Sequence, residues 1–110
     1  HGAGDQVLQG LARTLQQRLR RSDVAARIGG EEFVALLPDT GLKEAQATAD
    51  ALRLAVAAQE YPQVGHITIS LGVSALRGGD EDGASALLQR ADAALYQAKG
   101  EGRNRVCVQA

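Results

Sequence analysis

The sequence predicts an α+β domain with helices packed on a mainly antiparallel central sheet. Three observations lead there. Three stretches carry apolar residues at three- and four-residue steps, which is the spacing of one helix face. Residues 67–74 alternate apolar and small polar side chains, the period of a half-buried strand. Two short apolar runs flank a glycine-containing connection, as in a β-hairpin. The predicted order is helix, hairpin, helix, strand, helix, strand.

Val7, Leu8, Leu11, Ala12, Leu15 and Leu19 form the apolar stripe of the first helix. Asp5 stands just ahead of it, placed to cap the orphan amide protons. Ser22 and Asp23 favour a turn that ends it. Residues 24–28 and 33–37 are the hairpin strands, and the second is apolar throughout, which predicts burial on both faces. Pro38, Asp39, Thr40 and Gly41 form a turn, with Thr40 as cap of a second helix striped by Leu42, Ala45, Ala49, Leu52 and Val56. Tyr61-Pro62 breaks that pattern. After the alternating strand, residues 77–83 are a polar, glycine-rich loop. Leu87, Leu88, Ala91, Leu95 and Ala98 stripe a third helix, and Gly100 is placed as its left-handed C-cap. Residues 106–108 make a final short strand. Nothing resembling a repeat or linker divides residues 1–110, so they are expected to form one domain.

Composition narrows the function. With 110 residues, the chain is long enough for one core, and aromatics at 3% leave that core to Leu, Val, Ile and Ala. Twelve Lys plus Arg against 13 Asp plus Glu give a net charge of -1, which argues against a nucleic-acid partner. A single cysteine, Cys107, cannot form an internal disulfide. No apolar run approaches a membrane span and no export signal is visible, so a cytoplasmic domain without membrane insertion is expected. The start at His1 instead of Met suggests a piece of a longer protein, whose other parts can supply a membrane anchor.

The chemistry concentrates in Arg27-Ile28-Gly29-Gly30-Glu31-Glu32-Phe33. Two adjacent carboxylates at a hairpin tip repel each other, and a divalent cation offsets that repulsion. Two glycines beside them let a phosphate chain approach the backbone amides. On the residues alone, a solvated turn fits as well. His66, Tyr96 and Cys107 read as structural, and no spacing of His, Cys and acids suggests zinc.

Gly29-Gly30-Glu31-Glu32-Phe33 resembles the signature of the GGDEF family, the diguanylate cyclases, in its Glu variant. Further elements along the chain are similar to the family's as well. They are His1-Gly2-Ala3-Gly4-Asp5, the strand and turn from Phe33 to Thr40, Thr68 to Ser74, Ala91 to Lys99, and Gly102-Arg103-Asn104. The resemblance implies a nucleotidyl-cyclase/ferredoxin-like fold and synthesis of cyclic di-GMP from two GTP by a homodimer, with release of pyrophosphate. It implies that Glu31 and Glu32 hold Mg²⁺ (or Mn²⁺) and accept the hydroxyl proton, and that Gly29 and Gly30 admit the phosphates. Asp5 would read guanine, and Lys99 and Arg103 would neutralise the terminal phosphates. Arg20 and Asp23, an Arg-x-x-Asp five residues before Gly29, match the family's inhibitory site for the product cyclic di-GMP. The family often adds an arginine from the following helix; that position reads Ala51, with Arg53 two residues on.

Family members carry a βα unit ahead of the position of His1, with an Asp that ligates metal and an Asn that reads guanine. Its strand is expected beside the signature hairpin. Residues 1–110 without it are expected to be a poor enzyme within a parent cyclase governed by a sensory domain. Two other readings stand beside catalysis: a non-catalytic receptor for cyclic di-GMP, and a signalling interaction domain.

Overall fold

The computed structural model describes residues 3–29, 32–75 and 83–109. Helix α1 spans Ala3–Arg18 and leads into strands β1 (Val24–Gly29) and β2 (Glu32–Leu36). Helix α2 covers Leu42–Ala58, strand β3 Leu71–Ser74, helix α3 Ala84–Gly100 and strand β4 Val106–Gln109. The order is the one the sequence predicts. Residues 77–82 of the predicted polar loop lie outside the described residues.

Among the described residues the strands form two separate pairs. β1 and β2 are an antiparallel hairpin, while β3 and β4 run parallel in the register Leu71↔Val106 to Ser74↔Gln109. A parallel pair needs a crossover, and α3 supplies it. The predicted strand over 67–74 is paired only in its second half. β4 lies opposite Leu71 to Ser74 alone, and a strand needs a partner along its length.

The core lies where α2 and α3 cover the β3–β4 pair. Ala45, Ala49, Leu52 and Val56 are the buried face of α2, as their spacing predicts, and Val73 of β3 clusters with Ala45 and Ala49. On α3 the buried residues are Ala94 and Ala98, both 0% exposed, while Leu88 of the predicted stripe is 45% exposed. The close approach of α3 to β3 explains this choice of small residues. A Cβ on Gly72 would collide with the backbone of Ala91 and Leu95, so the helix rides directly on the strand at a point only glycine fits. Ser74 Oγ donates to the Leu87 carbonyl at 2.6 Å, and an Arg90 guanidinium nitrogen donates to the Ala75 carbonyl at 2.6 Å. Both bonds tie α3 to the end of β3.

α1 joins this body through its small residues. Gly10 lies against the buried ring of Tyr61, and the buried Thr14 hydroxyl donates to the Gly10 carbonyl at 3.0 Å, 2.9 Å from Gln59 Oε1. The leucines of its predicted stripe are only half-buried.

Several local expectations are corrected. α1 begins at Ala3, so Asp5 sits in its first turn and not at its cap, still beside the helix's positive end. The N-cap of α2 is Gly41, without a side-chain cap bond, because the Thr40 hydroxyl donates to the Pro38 carbonyl instead. Gly100 belongs to α3; the turn after the helix uses Gly102 at φ 124°, and the Arg103 amide closes it on the Ala98 carbonyl at 2.9 Å. β2 is not buried on both faces. Ala35 is exposed and Leu36 is 49% exposed, since among the described residues β1 is its only strand partner.

Candidate functional site

The hairpin is the frame of the site. Its pairing runs from Val24↔Leu36 through Arg27↔Phe33 to Gly29↔Glu32, with a register shift between Arg27 and Gly29. Ile28 is thus an extra residue on one strand, a bulge of the kind that re-aims a strand end beside a functional loop. The ladder closes at Gly29 and Glu32, which leaves positions 30 and 31 between the last paired residues. Gly30 and Glu31 lie outside the described residues, and of Glu32 only the backbone is described. Gly29, at the end of β1, has no side chain of its own, which fits an approach of phosphate to its backbone.

A cleft of about 340 Å³ separates α1 from the hairpin. Leu8, Ala12 and Leu15 line it from α1, Ala25 and Phe33 from the hairpin, and Asp5 stands among the lining residues. Gln9 and Gln16 also line the cleft, and one carboxylate among mostly apolar walls can orient a planar ligand by accepting its N–H groups. The apolar stripe of α1 therefore faces the cleft and not the core. Amphipathic spacing finds the face but not what covers it.

Lys99 occupies the last turn of α3, where a cation is favoured by the helix's negative end. It makes no hydrogen bond or ion pair among the described residues. Arg103 follows in the exit turn at φ 63°, exposed, with its carbonyl accepting from Arg105 Nε at 3.2 Å. Asn104, at φ 46°, accepts from Arg53 at 3.1 Å and donates its amide to Ser70 Oγ at 3.1 Å. The turn thus holds two exposed cations at one end of α3. No described contact brings them to the hairpin.

Arg20 and Asp23 are brought together. The Arg20 amide donates to Asp23 Oδ2 at 2.8 Å, Nε reaches the same oxygen at 3.4 Å, and Nη2 reaches Oδ1 at 3.2 Å. Nη2 also donates to the Pro38 carbonyl at 3.1 Å and to Thr40 Oγ1 at 2.6 Å. Burial pushes the Asp23 carboxyl up, but the hydrogen bonds from the Arg20 side chain and backbone, with its positive charge, outweigh this and hold the group below the usual carboxylate range. The hydrogen bond to Asp23 and that carboxylate's charge raise Arg20 in turn. A carboxyl depressed in the folded state contributes stability above its unfolded value, about 3.9, and that contribution is lost as pH falls through the lower folded value. The pair is therefore fully ionised at neutral pH.

Thr40 and Pro38 are the partners that sequence reasoning missed. Thr40 lies 20 positions from Arg20, and no local pattern links them. Arg53 does not join this pair: its Nε donates to Asp50 at 2.9 Å and Nη1 to Asn104. His66, read as structural from the sequence, sets Nδ1 3.0 Å from the Ala57 carbonyl. Among the described residues no group of three His, Cys, Asp or Glu could hold a metal, and no described helix is long and apolar enough to cross a membrane.

The family model for the diguanylate cyclase GGDEF domain matches residues 1–105. The diguanylate cyclase DgcM of Escherichia coli K12 is 44% identical over 106 residues, covering 96% of this chain and 25% of that protein. The chain thus spans about a quarter of the length of the curated relatives it matches. The active GGEEF domain of a Vibrio cholerae diguanylate cyclase superposes with TM-score 0.93 at 38% identity, over 100% of this chain and 70% of that one. The GGDEF domain of DgcB from Caulobacter crescentus, in complex with c-di-GMP, gives 0.90 at 32% identity, over 99% and 66%.

Proposed function

That this chain belongs to the GGDEF family of diguanylate cyclases is the premise from which we propose its function. The domain joins two GTP molecules into cyclic di-GMP, with a second copy contributing the other nucleotide. In each of two equivalent steps a 3′-hydroxyl oxygen attacks the α-phosphorus of the facing GTP. The bond to pyrophosphate breaks and the hydroxyl proton leaves to a carboxylate. Such transfers depend on positioning and charge neutralisation more than on covalent help from the protein.

The hairpin carries this proposal. Its described ladder ends on Gly29 and Glu32, and the sequence sets Glu31 beside Glu32 with Gly29 and Gly30 just before them. Hard, adjacent carboxylate oxygens are the donor chemistry that Mg²⁺ or Mn²⁺ prefers, and Glu31 and Glu32 are the residues that would hold it. The metal, when bound, supplies positive charge against the triphosphate. Glu31 or Glu32 accepts the hydroxyl proton, Gly29 and Gly30 admit the phosphates, and Lys99 and Arg103 balance the terminal phosphates. Asp5, in the cleft between α1 and the hairpin, accepts hydrogen bonds from the guanine edge. Arg20 and Asp23 take the product and restrain turnover.

Among the described residues the two strand pairs are not joined, and each hairpin strand is paired on one side only. Residues 1–110 alone are accordingly expected to turn over more slowly than a chain that supplies a joining strand. A cytoplasmic setting, where GTP is abundant, and control by a sensory domain that brings two copies together complete the proposal. The Arg20–Asp23 pair favours one second reading, a receptor that binds cyclic di-GMP without making it. Incubating the whole protein with GTP and Mg²⁺ separates them. Cyclic di-GMP and pyrophosphate should appear and fall by at least about a hundredfold in Glu31→Gln and Glu32→Gln. Product binding without any turnover would leave the receptor.

A further inference from the structure

We propose that Arg20 and Asp23 form a closed latch that Thr40 holds shut, so that a guanine-bearing ligand binds only after the Arg20 guanidinium leaves the Asp23 carboxylate. The inference rests on reading these two residues as the product site, and it concerns how that site opens.

Exposure is the first observation. The Asp23 side chain is 3% exposed, whereas that of Arg20 is 55% exposed. A guanine edge offers two N–H donors, which need carboxylate oxygens on a surface the ligand can reach. Asp23 presents no such surface while Arg20 covers it. Its Oδ2 accepts from the Arg20 amide and from Nε, and its Oδ1 accepts from Nη2.

The strap is the second observation. Nη2 has two protons and three acceptors, and the shortest of these contacts is Thr40 Oγ1 at 2.6 Å. Thr40 donates its own proton to the Pro38 carbonyl at 2.9 Å, which turns an oxygen lone pair toward Arg20. The start of α2 thereby fixes the guanidinium over Asp23. Arg20 Nη1 makes no hydrogen bond among the described residues, so it is the free donor that an arriving phosphate meets first. Once the guanidinium moves, the bond from the Arg20 amide still orients Asp23 Oδ2, and Oδ1 becomes available. The closed form competes with the ligand, and apparent affinity falls by the fraction of molecules that are open.

Calorimetry of the whole protein with cyclic di-GMP tests this. Thr40→Val removes the acceptor at nearly constant shape and should tighten binding by about three- to tenfold. Thr40→Ala should do the same, and covers the case in which valine disturbs the turn. Thr40→Ser keeps the hydroxyl and should bind like the unaltered protein, and KM for GTP should be unchanged in all three. Unchanged or weaker binding in both Thr40→Val and Thr40→Ala, with binding lost in Arg20→Ala, would overturn the latch and leave the site. Full binding retained in Arg20→Ala would overturn the site and the latch with it.

Discussion

The two halves of the molecule use the same aliphatic residues in different ways. Around the β3–β4 pair, Leu52, Val56, Ala94 and Ala98 are at most 4% exposed, and a glycine at 72 lets α3 press on β3. On the hairpin, Val24 is 59% and Leu36 49% exposed, and Phe33 faces α1 across a cleft. The first half is a finished core and holds itself together. The second half carries Asp5 and the Arg20–Asp23 pair, and among the described residues it leaves apolar walls and strand edges open. Packing is thus concentrated in one half, while the proposed chemistry lies mostly in the other and draws only Lys99 and Arg103 from the exit of α3, with α2 as the element both halves share.

Substitutions in the two halves should therefore differ in size. Gly72→Ala sends a methyl into the α3 backbone, where neither element can yield without moving, and should cost about 3 kcal/mol in a denaturant melt. Leu52→Ala, emptying a site that is 4% exposed, should cost about 2–4 kcal/mol. Leu8→Ala, of similar chemistry but on the open cleft, should cost under about 1 kcal/mol while weakening GTP binding. Equal losses for Leu52→Ala and Leu8→Ala would erase the contrast between a packed half and an open one.

How much of this was legible depended on what covers each element. The face of α2 could be read residue by residue, because its periodic positions are the buried ones. On α3 spacing picked out Ala98 but also Leu88, which is exposed, and it missed Ala94, whose burial follows from the close approach of α3 to β3 at Gly72, a tertiary fact with no local signal. Residues 67–70 alternate as a strand should, yet pairing belongs to the partner, and β4 reaches only Leu71 to Ser74. At the candidate site, Gly29 to Phe33 and Arg20 with Asp23 stood out by residue type and spacing. Thr40 did not, since its evident use was as a helix cap. Its hydroxyl serves Pro38 and Arg20 instead, across a gap that only the fold closes.

The central claim is that the hairpin tip seats a divalent cation together with the triphosphate of GTP. The direct measurement is binding of a non-hydrolysable GTP analogue to the whole protein as Mg²⁺ is titrated, repeated with Glu31→Gln/Glu32→Gln. Affinity should rise at least about tenfold with Mg²⁺ in the unaltered protein and lose that dependence in the double variant. The same metal dependence in both proteins would place the cation elsewhere and contradict the account.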